Sequence, residues 1–384
     1  DIKPSTKIAS IAGYADSAFA NQLSINPIEL KTNLEGYQMI ENGVWRNSAD
    51  GTSLVYGIVL PSVGFTPIEN DQGQLLSFKF NDIFFYGKKN LRNMIGYGAK
   101  GKSISWPNNA RLALQIVLNY EEGGENCVLN GDKYSETFLS EIIGAKAIKG
   151  RHISMESIYE YGSRAGFWRL HKLFKEKNIP VTIFGVGLAL EQNPEVCEVI
   201  KNGNYEVAAH GYRWIDYQDV KKSIEKKHMQ QAIKTIKKIF GSRPLGWYTG
   251  RCSPNTRDLV FDEGGFLYDS DSYSDDLPYW EKRGSKRQLI IPYTLDNNDM
   301  RFATNQGFNT GDHFYNYLKD SFDALYEEGK ISPKMMSVGL HCRLIGRPGR
   351  IQSLKKFLDY VLKFNDIWIC KRIDIAKHWI KNYS

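Results

Sequence analysis

From about residue 108 onward, short apolar runs alternate with longer segments of helical periodicity. This alternation is typical of parallel strands that are joined by helices. Eight strand–helix units in roughly 270 residues match the usual size of a closed (β/α)₈ barrel. The expected fold is therefore α/β, with a barrel rather than an open sheet. The runs with the length and apolar content of buried strands are 112–118, 181–186, 205–209, 245–248, 266–268, 289–293, 335–340 and 367–370.

Two of the intervening segments carry signals for helix ends. Asn193 before Pro194 predicts the capped start of a helix over 194–202, and Gly241 predicts the end of a helix over 221–240. The longer helix has apolar residues on the side opposite its lysines, which predicts a buried stripe. The stripe consists of Ile224, Ile233, Ile236 and Phe240.

Residues 1–90 have a different pattern, with turn signals at 50–51 and 71–73 and extended candidates at 53–60, 75–80 and 83–86. We expect a β-rich N-terminal extension over 1–90, of unknown role, and a catalytic barrel domain over 91–384.

Composition excludes several classes of protein. No run approaches the ~20 apolar residues of a membrane helix, so no spanning segment is expected. The first residues lack the apolar stretch of a signal peptide, but a signal removed before Asp1 stays open. The net charge of +7 is concentrated in 221–243 and 347–384 without any nucleic-acid-binding motif, so no nucleic-acid partner is expected. Five widely spaced cysteines without a CxxC pair do not suit a disulfide framework or a structural zinc site, and a reducing, cytoplasmic location fits best. They are Cys127, Cys197, Cys252, Cys342 and Cys370.

The stretch from Gly96 to Ser103 matches the phosphate-binding pattern GxxxxGK[ST], and its first six residues match GxGxxG. Both patterns require a helix immediately afterwards. Pro107 and the first predicted strand follow instead, so a glycine-rich turn is the preferred interpretation.

Polar side chains follow five of the predicted strands at the point where each strand ends. The carboxyl ends of barrel strands share one rim, so these groups are expected to converge there. Where two glutamates are adjacent, one should have a raised pKa or a cation beside it. The strand-end residues are Glu121, Glu122, Glu125, His210, Arg251, Asp269, Asp271 and His341.

A carboxylate, a histidine and an arginine together suit the hydrolysis of an amide-like carbon–nitrogen bond. The carboxylate activates water, the cation holds the developing oxyanion, and the histidine protonates the leaving nitrogen. An exposed acidic turn or a structural histidine remains the alternative for each residue alone. A metal pair would need a second histidine four residues after His210, where Trp214 stands, and tryptophan is not a ligand.

Ten stretches occur in one order along the chain: IGYG (95–98), LNYEEGGE (118–125), SMESIYEYGSRAG (154–166), HGYRWIDY (210–217), GWYTGR (246–251), PNTR (254–257), DEGGFLYDSD (262–271), DDLPYW (275–280), IPYTLDNNDMRF (291–302) and GLHCRLIGRP (339–348). With these stretches, the chain from about 95 to 383 resembles the polysaccharide deacetylase (NodB-like, carbohydrate esterase 4) superfamily. Within that superfamily it is most similar to the metal-independent allantoinase branch.

The resemblance implies a distorted (β/α) barrel and a role for each matched residue. Glu121 stands where deacetylases keep the catalytic base, and Glu122 stands where they keep the metal-binding aspartate. His210 matches the first metal-binding histidine, and Trp214 occupies the place of the second. His341 matches the histidine that acts as general acid.

Arg251 matches the arginine that orients the base. In the implied reaction Arg251, with Arg164 or Arg343, would bind the polar groups of the substrate in a bidentate manner. Glu122, His210, Trp214 and Asp271 are further substrate-binding candidates. The family pattern is broken at Cys252 and the residue after it, and residues 1–90 match nothing in the family.

The implied activity is opening of the hydantoin ring of allantoin to allantoate by a homo-oligomer that acts on a small molecule. No cofactor is expected, although a divalent metal on Glu122 and His210 stays open. A metal-dependent deacetylase of N-acetylated sugars is the first alternative, and Trp214 argues against it. A catalytically inactive binding barrel is the second, and the presence of Glu121, Arg251 and His341 argues against it.

Overall fold

The computed structural model describes residues 93–99 and 101–383 in full, and seven short strands between residues 10 and 84 by their backbone. The chain divides into two compact units, 1–96 and 97–384. The sequence prediction placed the boundary at residue 90.

The first unit contains two antiparallel sheets. Strands β1 (Ser10–Ile11), β2 (Tyr37–Glu41), β3 (Val44–Asn47) and β4 (Ser53–Tyr56) form one sheet in the order β1-β4-β3-β2. Strands β5 (Phe65–Glu69), β6 (Leu75–Phe80) and β7 (Ile83–Phe84) form the other. Strands therefore occupy parts of all three extended candidates. The turn signals at 50–51 and 71–73 lie outside the described residues.

The second unit is built on a nine-stranded, mostly parallel sheet with the order β13-β14-β12-β11-β10-β9-β8-β15, and β16 pairs with β8. All eight strands predicted from the sequence are present, with shifted ends in most cases. The strands are β8 (Leu112–Tyr120), β9 (Val181–Gly185), β10 (Tyr205–Ala209), β11 (Gly246–Trp247), β12 (Tyr268–Asp269), β13 (Tyr279–Arg283), β14 (Lys286–Ile290), β15 (Lys334–His341) and β16 (Ile367–Ile369).

The barrel is distorted in two respects. A bridge between Asn298 and Gly339 joins the segment after β14 to β15, in place of a strand-to-strand ladder. Strand β13 is antiparallel to β14, and the two meet at a turn where Gly284 has a φ of 55°. The prediction of eight regular strand–helix units is therefore wrong at this connection, because a hairpin replaces the helix.

Nine α-helices cover the sheet in the described part of this unit. Residues Gly162–Gly166 form a π-helical turn between the first two. None of the helices in the described residues combines the length and hydropathy of a membrane span. The helices are α1 (Ile153–Tyr161), α2 (Phe167–Glu176), α3 (Gly187–Gln192), α4 (Pro194–Asn202), α5 (Lys222–Phe240), α6 (Thr256–Glu263), α7 (Gly311–Glu328), α8 (Pro348–Val361) and α9 (Arg372–Asn382).

Alternate residues of β8 face two different cores. Leu112, Leu114 and Ile116 pack with helix residues, whereas Ala113 and Val117 pack with side chains that include those of α9. Since successive side chains of a strand point to opposite faces, the second core lies on the inner face of the barrel.

Arg372, the first residue of α9, is fully buried against this inner core. All five of its guanidinium N–H groups have partners: Ser270 Oγ, Gln115 Oε1, Ser337 Oγ and the carbonyl oxygens of Ile291 and Pro292. The guanidinium of Arg372 therefore joins the start of α9 to the inner face of the barrel through a full set of hydrogen bonds, while Ile375, Ala376 and Trp379 of the same helix pack in the apolar core.

The glycine-rich stretch 96–103 is not followed by an α-helix. Pro107–Asn109 form a short 3₁₀ turn, and β8 begins at Leu112. The backbone therefore lacks the helix N-terminus that either phosphate-binding pattern requires.

Candidate active site

Glu121 lies at the centre of the candidate site. It directly follows β8, and the register of β8 and β15 pairs Asn119 with His341, so the ends of the two strands are adjacent. The Glu121 side chain is 1% exposed. Its Oε1 lies 3.2 Å from His210 Nε2 and 3.4 Å from His341 Nε2, and its Oε2 lies 2.7 Å from Arg343 Nη2. One buried carboxylate thus meets two imidazoles and a guanidinium.

Positive neighbours keep Glu121 ionised. Burial by itself raises the pKa of this carboxyl. The charges of His341 and Arg343 and the hydrogen bonds from the two histidines outweigh burial, and they hold the pKa of Glu121 well below its usual range. Glu121 is therefore a carboxylate at neutral pH, which is the form that a general base needs.

His341 is fixed by Asp299. Its Nδ1 lies 2.6 Å from Asp299 Oδ1, and its backbone N–H donates to Asp299 Oδ2 at 2.8 Å. Burial lowers the pKa of the imidazole, but the charges of Glu121 and Asp299 raise it to about 9 overall. His341 is therefore an imidazolium at neutral pH, with Nε2–H directed at Glu121.

His210 directly follows β10 and is also buried. Its Nδ1 lies 3.1 Å from the carbonyl oxygen of Tyr248. Its other nitrogen faces Glu121. Both ring nitrogens thus meet acceptors, and the ring is oriented as a donor to the carboxylate.

Arg343 contacts both adjacent glutamates. Its Nη1 lies 3.5 Å from Glu122 Oε1, and its Nε donates to the carbonyl oxygen of Leu139 at 2.9 Å. Burial raises the pKa of Glu122, and the charge of Glu121 raises it further, against the opposing effect of Arg343. A raised pKa and a neighbouring cation are the two outcomes expected for adjacent carboxylates.

Trp214 packs between arginines. Its ring centroid lies 5.1 Å from the guanidinium carbon of Arg343 and 5.0 Å from that of Arg251. Phe138 stacks on it at 5.8 Å with an interplanar angle of 18°. Cation–π contacts of this kind are strongest when they are shielded from water. Trp214 is therefore within cation–π distance of two guanidinium groups.

The structure places three predicted site residues differently from the sequence analysis. Arg251 pairs with Glu136, at 3.0 and 3.2 Å, and the arginine on Glu121 is Arg343. Arg164 is 78% exposed and pairs with Glu160 one turn away on the surface. It points outward because the residues before and after it in the π-helical turn, Gly162 and Gly166, pack inward.

The carboxylate of Asp271 binds the backbone of the loop after β11. Its carboxylate accepts hydrogen bonds from the N–H groups of Thr249 and Gly250 at 2.7 to 2.9 Å. These bonds fix the turn before Arg251. Asp271 thus supports this loop, and its role as a substrate-binding residue stays a prediction.

Sequence reasoning missed four residues that shape the site: Asp299, Glu136, Tyr159 and Leu139. Asp299 lies in the short 3₁₀ helix Asp299–Ala303, within the family stretch 291–302, and that stretch was the available signal. Glu136 and Leu139 lie in an irregular loop that no strand-end rule addresses. Tyr159 contacts Arg343, with 4.4 Å between the ring centroid and the guanidinium carbon.

A cavity of about 300 Å³ is lined by residues of the irregular loop that contains Glu136 and Leu139. Two of its lining residues contact site arginines, since Glu136 pairs with Arg251 and Leu139 binds Arg343. The cavity is also lined by Ala303, at the end of the helix that carries Asp299. This space is of small-molecule size.

The described residues do not fit a catalytic metal. No group of three or more His, Cys, Asp or Glu side chains in 93–99 and 101–383 is arranged to hold an ion. The two carboxylates that deacetylases use around a metal already meet the guanidinium of Arg343. A divalent cation between Glu121 and Glu122 would therefore face a fixed positive charge.

Comparison with known proteins gives the family. A family model for polysaccharide deacetylases matches residues 150–259. A Schizosaccharomyces pombe (strain 972 / ATCC 24843) protein named as a polysaccharide deacetylase is 43% identical over 305 residues, which are 73% of this chain and 95% of that protein. The chain belongs to the polysaccharide deacetylase family.

Two solved structures of this family cover the same region. A probable polysaccharide deacetylase from Pseudomonas aeruginosa PAO1 is 56% identical with a TM-score of 0.75, and the match spans 76% of this chain and 99% of that one. PuuE allantoinase is 54% identical with a TM-score of 0.76, over 77% and 99% respectively. The resemblance and the α/β barrel expected from the sequence are thereby confirmed. This polysaccharide deacetylase family member is a hydrolase that acts on carbon–nitrogen bonds.

Proposed function

We propose that this protein is an allantoinase that opens the hydantoin ring of allantoin at a cyclic amide C–N bond and gives allantoate without a metal. The observation that carries the proposal is the position of Arg343, which lies against both Glu121 and Glu122 with Trp214 packed on its guanidinium. The 54% identity to PuuE allantoinase supports the same activity.

Glu121 is the proposed general base. As a carboxylate beside two N–H donors, it can orient a water molecule and take one proton as the oxygen attacks the ring carbonyl carbon. The new C–O bond converts the carbonyl oxygen into an oxyanion. The proton stays on Glu121 or passes to a neighbouring nitrogen.

His341 is the proposed general acid. The imidazolium form, with a pKa raised to about 9 by Glu121 and Asp299 against the effect of burial, holds a proton 3.4 Å from the base. When the C–N bond breaks, this proton moves to the leaving nitrogen, which is otherwise a poor anion. Water is consumed, and the products are a carboxylate and a ureido group.

The surroundings suit a small polar heterocycle. The cavity of about 300 Å³ lies at the lower limit of ordinary ligand sites. Arg251 and Arg343 each contact one residue of its lining, and guanidinium groups can donate pairs of hydrogen bonds to carbonyl or ureido oxygens. A long sugar chain would need an open groove at the buried Glu121.

The rival function is metal-dependent deacetylation of N-acetylated sugars, which the names of two relatives favour. Its chemistry needs a metal at carboxylates that Arg343 already contacts. It therefore predicts a bound metal and sensitivity to chelators, neither of which the allantoinase proposal expects.

The deciding experiment incubates purified protein with allantoin and, separately, with N-acetylglucosamine oligomers, each with and without a strong chelator. We expect allantoate from allantoin at an equal rate in both conditions, and elemental analysis with less than one transition metal per chain. Deacetylation that stops when the chelator is added would establish the rival function. Absence of both activities would favour an inactive binding barrel.

A further inference from the structure

Two arginines in the described residues are fully buried, and they differ in how their hydrogens are used. Arg372 has a partner for each of its five guanidinium N–H groups. Arg343 has one short hydrogen bond, to Leu139 O at 2.9 Å, and a long one to Glu122 at 3.5 Å. Its other polar contact is the ion pair of Nη2 with Glu121 Oε2 at 2.7 Å, so Arg343 has fewer hydrogen-bond partners than Arg372.

The Nη2 group of Arg343 lies beside the general base. It forms an ion pair with Oε2 of Glu121 at 2.7 Å, and neither atom has a further hydrogen-bond partner among the described residues. A fixed cationic donor and a carboxylate acceptor therefore stand side by side. A carbonyl group under attack by water needs both, a base for the water and a donor for its oxygen.

The guanidinium of Arg343 is held in place on its other side by aromatic rings. Its carbon lies 4.4 Å from the ring centroid of Tyr159 and 5.1 Å from that of Trp214. Trp214 in turn is stacked by Phe138 and tied to Gly124 by its backbone N–H. The donor is thus oriented before any substrate arrives, as electrostatic stabilisation of a transition state requires.

We propose that Nη2 of Arg343 is the donor that stabilises the oxyanion on the attacked carbonyl carbon, and that Trp214 is the positioning residue that orients it. This inference rests on the proposed function, because it assigns the oxyanion step of that reaction. Arg343 acts in place of a Lewis acid: as water adds to the carbonyl carbon, the π electrons move to the oxygen, and Nη2–H bonds the resulting anion. When the C–N bond breaks, the anion returns to a carbonyl.

The test uses full-length Arg343→Lys and Arg343→Gln, with Arg243→Lys as the matched control. Arg243 also pairs with a carboxylate, that of Glu263, but it contacts none of the site residues named above. We expect Arg343→Lys to lower kcat on the order of 10²- to 10³-fold, the usual loss for one oxyanion donor, with KM within a few fold. Arg343→Gln should lose at least as much. Arg243→Lys should keep wild-type kcat.

Melting temperatures of the variants show whether each is folded when its kcat is measured. If kcat of Arg343→Lys stays within about threefold of wild type, the inference is overturned, whatever the melting temperature. Should Arg343→Gln fail to fold, Arg343→Lys decides alone. A loss confined to KM would make Arg343 a ground-state binding group and would also overturn the inference.

Two variants test the positioning role of Trp214. Trp214→Leu removes the aromatic face and should lower kcat on the order of 10-fold at unchanged KM, whereas Trp214→Phe should restore most of that loss. Equal kcat in the two variants would overturn the positioning role. Wild-type protein inactive on allantoin would refute the proposed function, and the same variants would then be assayed on the N-acetylated substrate, because its hydrolysis also forms an oxyanion.

Discussion

Nδ1 of His341 lies 2.6 Å from Oδ1 of Asp299, and both side chains are buried. This contact fixes the tautomer, because the proton on Nδ1 is held by the aspartate and the reacting proton must sit on Nε2. The same aspartate accepts the backbone N–H groups of His341 and Ile345. Asp299 therefore sets both the charge and the orientation of the proposed acid.

We expect kcat to fall as the pH rises through about 9. The pKa of His341 is raised to about 9 because Glu121 and Asp299 outweigh burial, and only the protonated ring can donate. The acidic limb should lie below pH 4.5, since the pKa of Glu121 is lowered by His341 and Arg343 in spite of burial. Steady-state kinetics across pH 4 to 10 would measure the alkaline limb and test whether activity is kept down to pH 4.5.

Asp299→Asn is the matched variant for the alkaline limb. Removing one of the two carboxylates that raise the pKa of His341 should move that limb to lower pH. The raised pKa also stabilises the fold: the contribution is complete below 6.5 and is lost as pH rises through about 9. An alkaline limb that stayed in place in Asp299→Asn would assign it to another group.

Glu121→Gln should lower kcat on the order of 10²- to 10⁴-fold, because the amide is nearly isosteric but cannot accept the water proton. Glu125→Gln is the control, since Glu125 accepts a backbone N–H from Gly123 and does not contact the histidines of the site. Near-normal turnover by Glu121→Gln would move the base to another residue.

His341→Ala should lower kcat strongly with substrate affinity within a few fold, because a proton donor to the leaving nitrogen acts mainly in the transition state. Melting temperature and kinetics are measured on the same variant. A lower melting temperature with unchanged kcat of the folded enzyme would show that His341 only supports the rim.

Gly162→Ala should disturb the site by displacing Glu122 and Arg343. A Cβ at this position would lie 2.4 Å from Glu122 Oε1 and 2.9 Å from the backbone nitrogen of Arg343. We expect a loss of about 1–3 kcal/mol in the free energy of unfolding, and a lower kcat because Arg343 shifts. Gly349→Ala is the control, with no atom within 4 Å of the added carbon. Equal activity in the two variants would show that the contact is relieved without moving Arg343.

Deleting residues 1–96 should leave kcat per folded chain unchanged, because every residue of the proposed site lies between Glu121 and Arg343. Turnover is measured on the monodisperse fraction after size-exclusion chromatography, so that aggregated protein is not counted. A folded but inactive truncation would mean that the first unit contributes to the site.

Local signals predicted much of the fold. Strand β10 and helix α4 have the bounds that the sequence predicted, and Asn193 caps α4 by accepting the N–H of Val196 at 3.1 Å. Such caps depend on neighbours in the sequence, so they are readable without the fold. The β13–β14 hairpin was missed because its exposed, charged residues have no buried-strand pattern.

The apolar stripe predicted for α5 shows where helical periodicity does not predict which residues are buried. Ile224 is 43% exposed, whereas Glu225 is buried and accepts the hydroxyl hydrogens of Ser253 and Thr256. A helix face is set by its tertiary partners, and hydroxyl groups from a distant loop turn a glutamate inward. The residues of the stripe that are buried or half-buried are Ile233, Ile236 and Phe240.

The same distinction applies to the site. Glu121, His210 and His341 were found because strand ends of a barrel must meet at one rim. The choice between Arg251 and Arg343 was not readable, because a long, flexible side chain selects its carboxylate by tertiary packing. Asp299 reaches the site from a helix after β14, and its position depends on how β15 packs there.

Arg372 sets the order in which the barrel can be completed during synthesis. Its hydrogen-bond partners on the inner face, Gln115, Ser270 and Ser337 among them, all leave the ribosome before it does. Until α9 emerges, these polar groups have no guanidinium to bind. A nascent chain that stops short of residue 372 therefore has its strands but lacks the guanidinium that binds these polar groups. In that state it is exposed to aggregation and proteolysis.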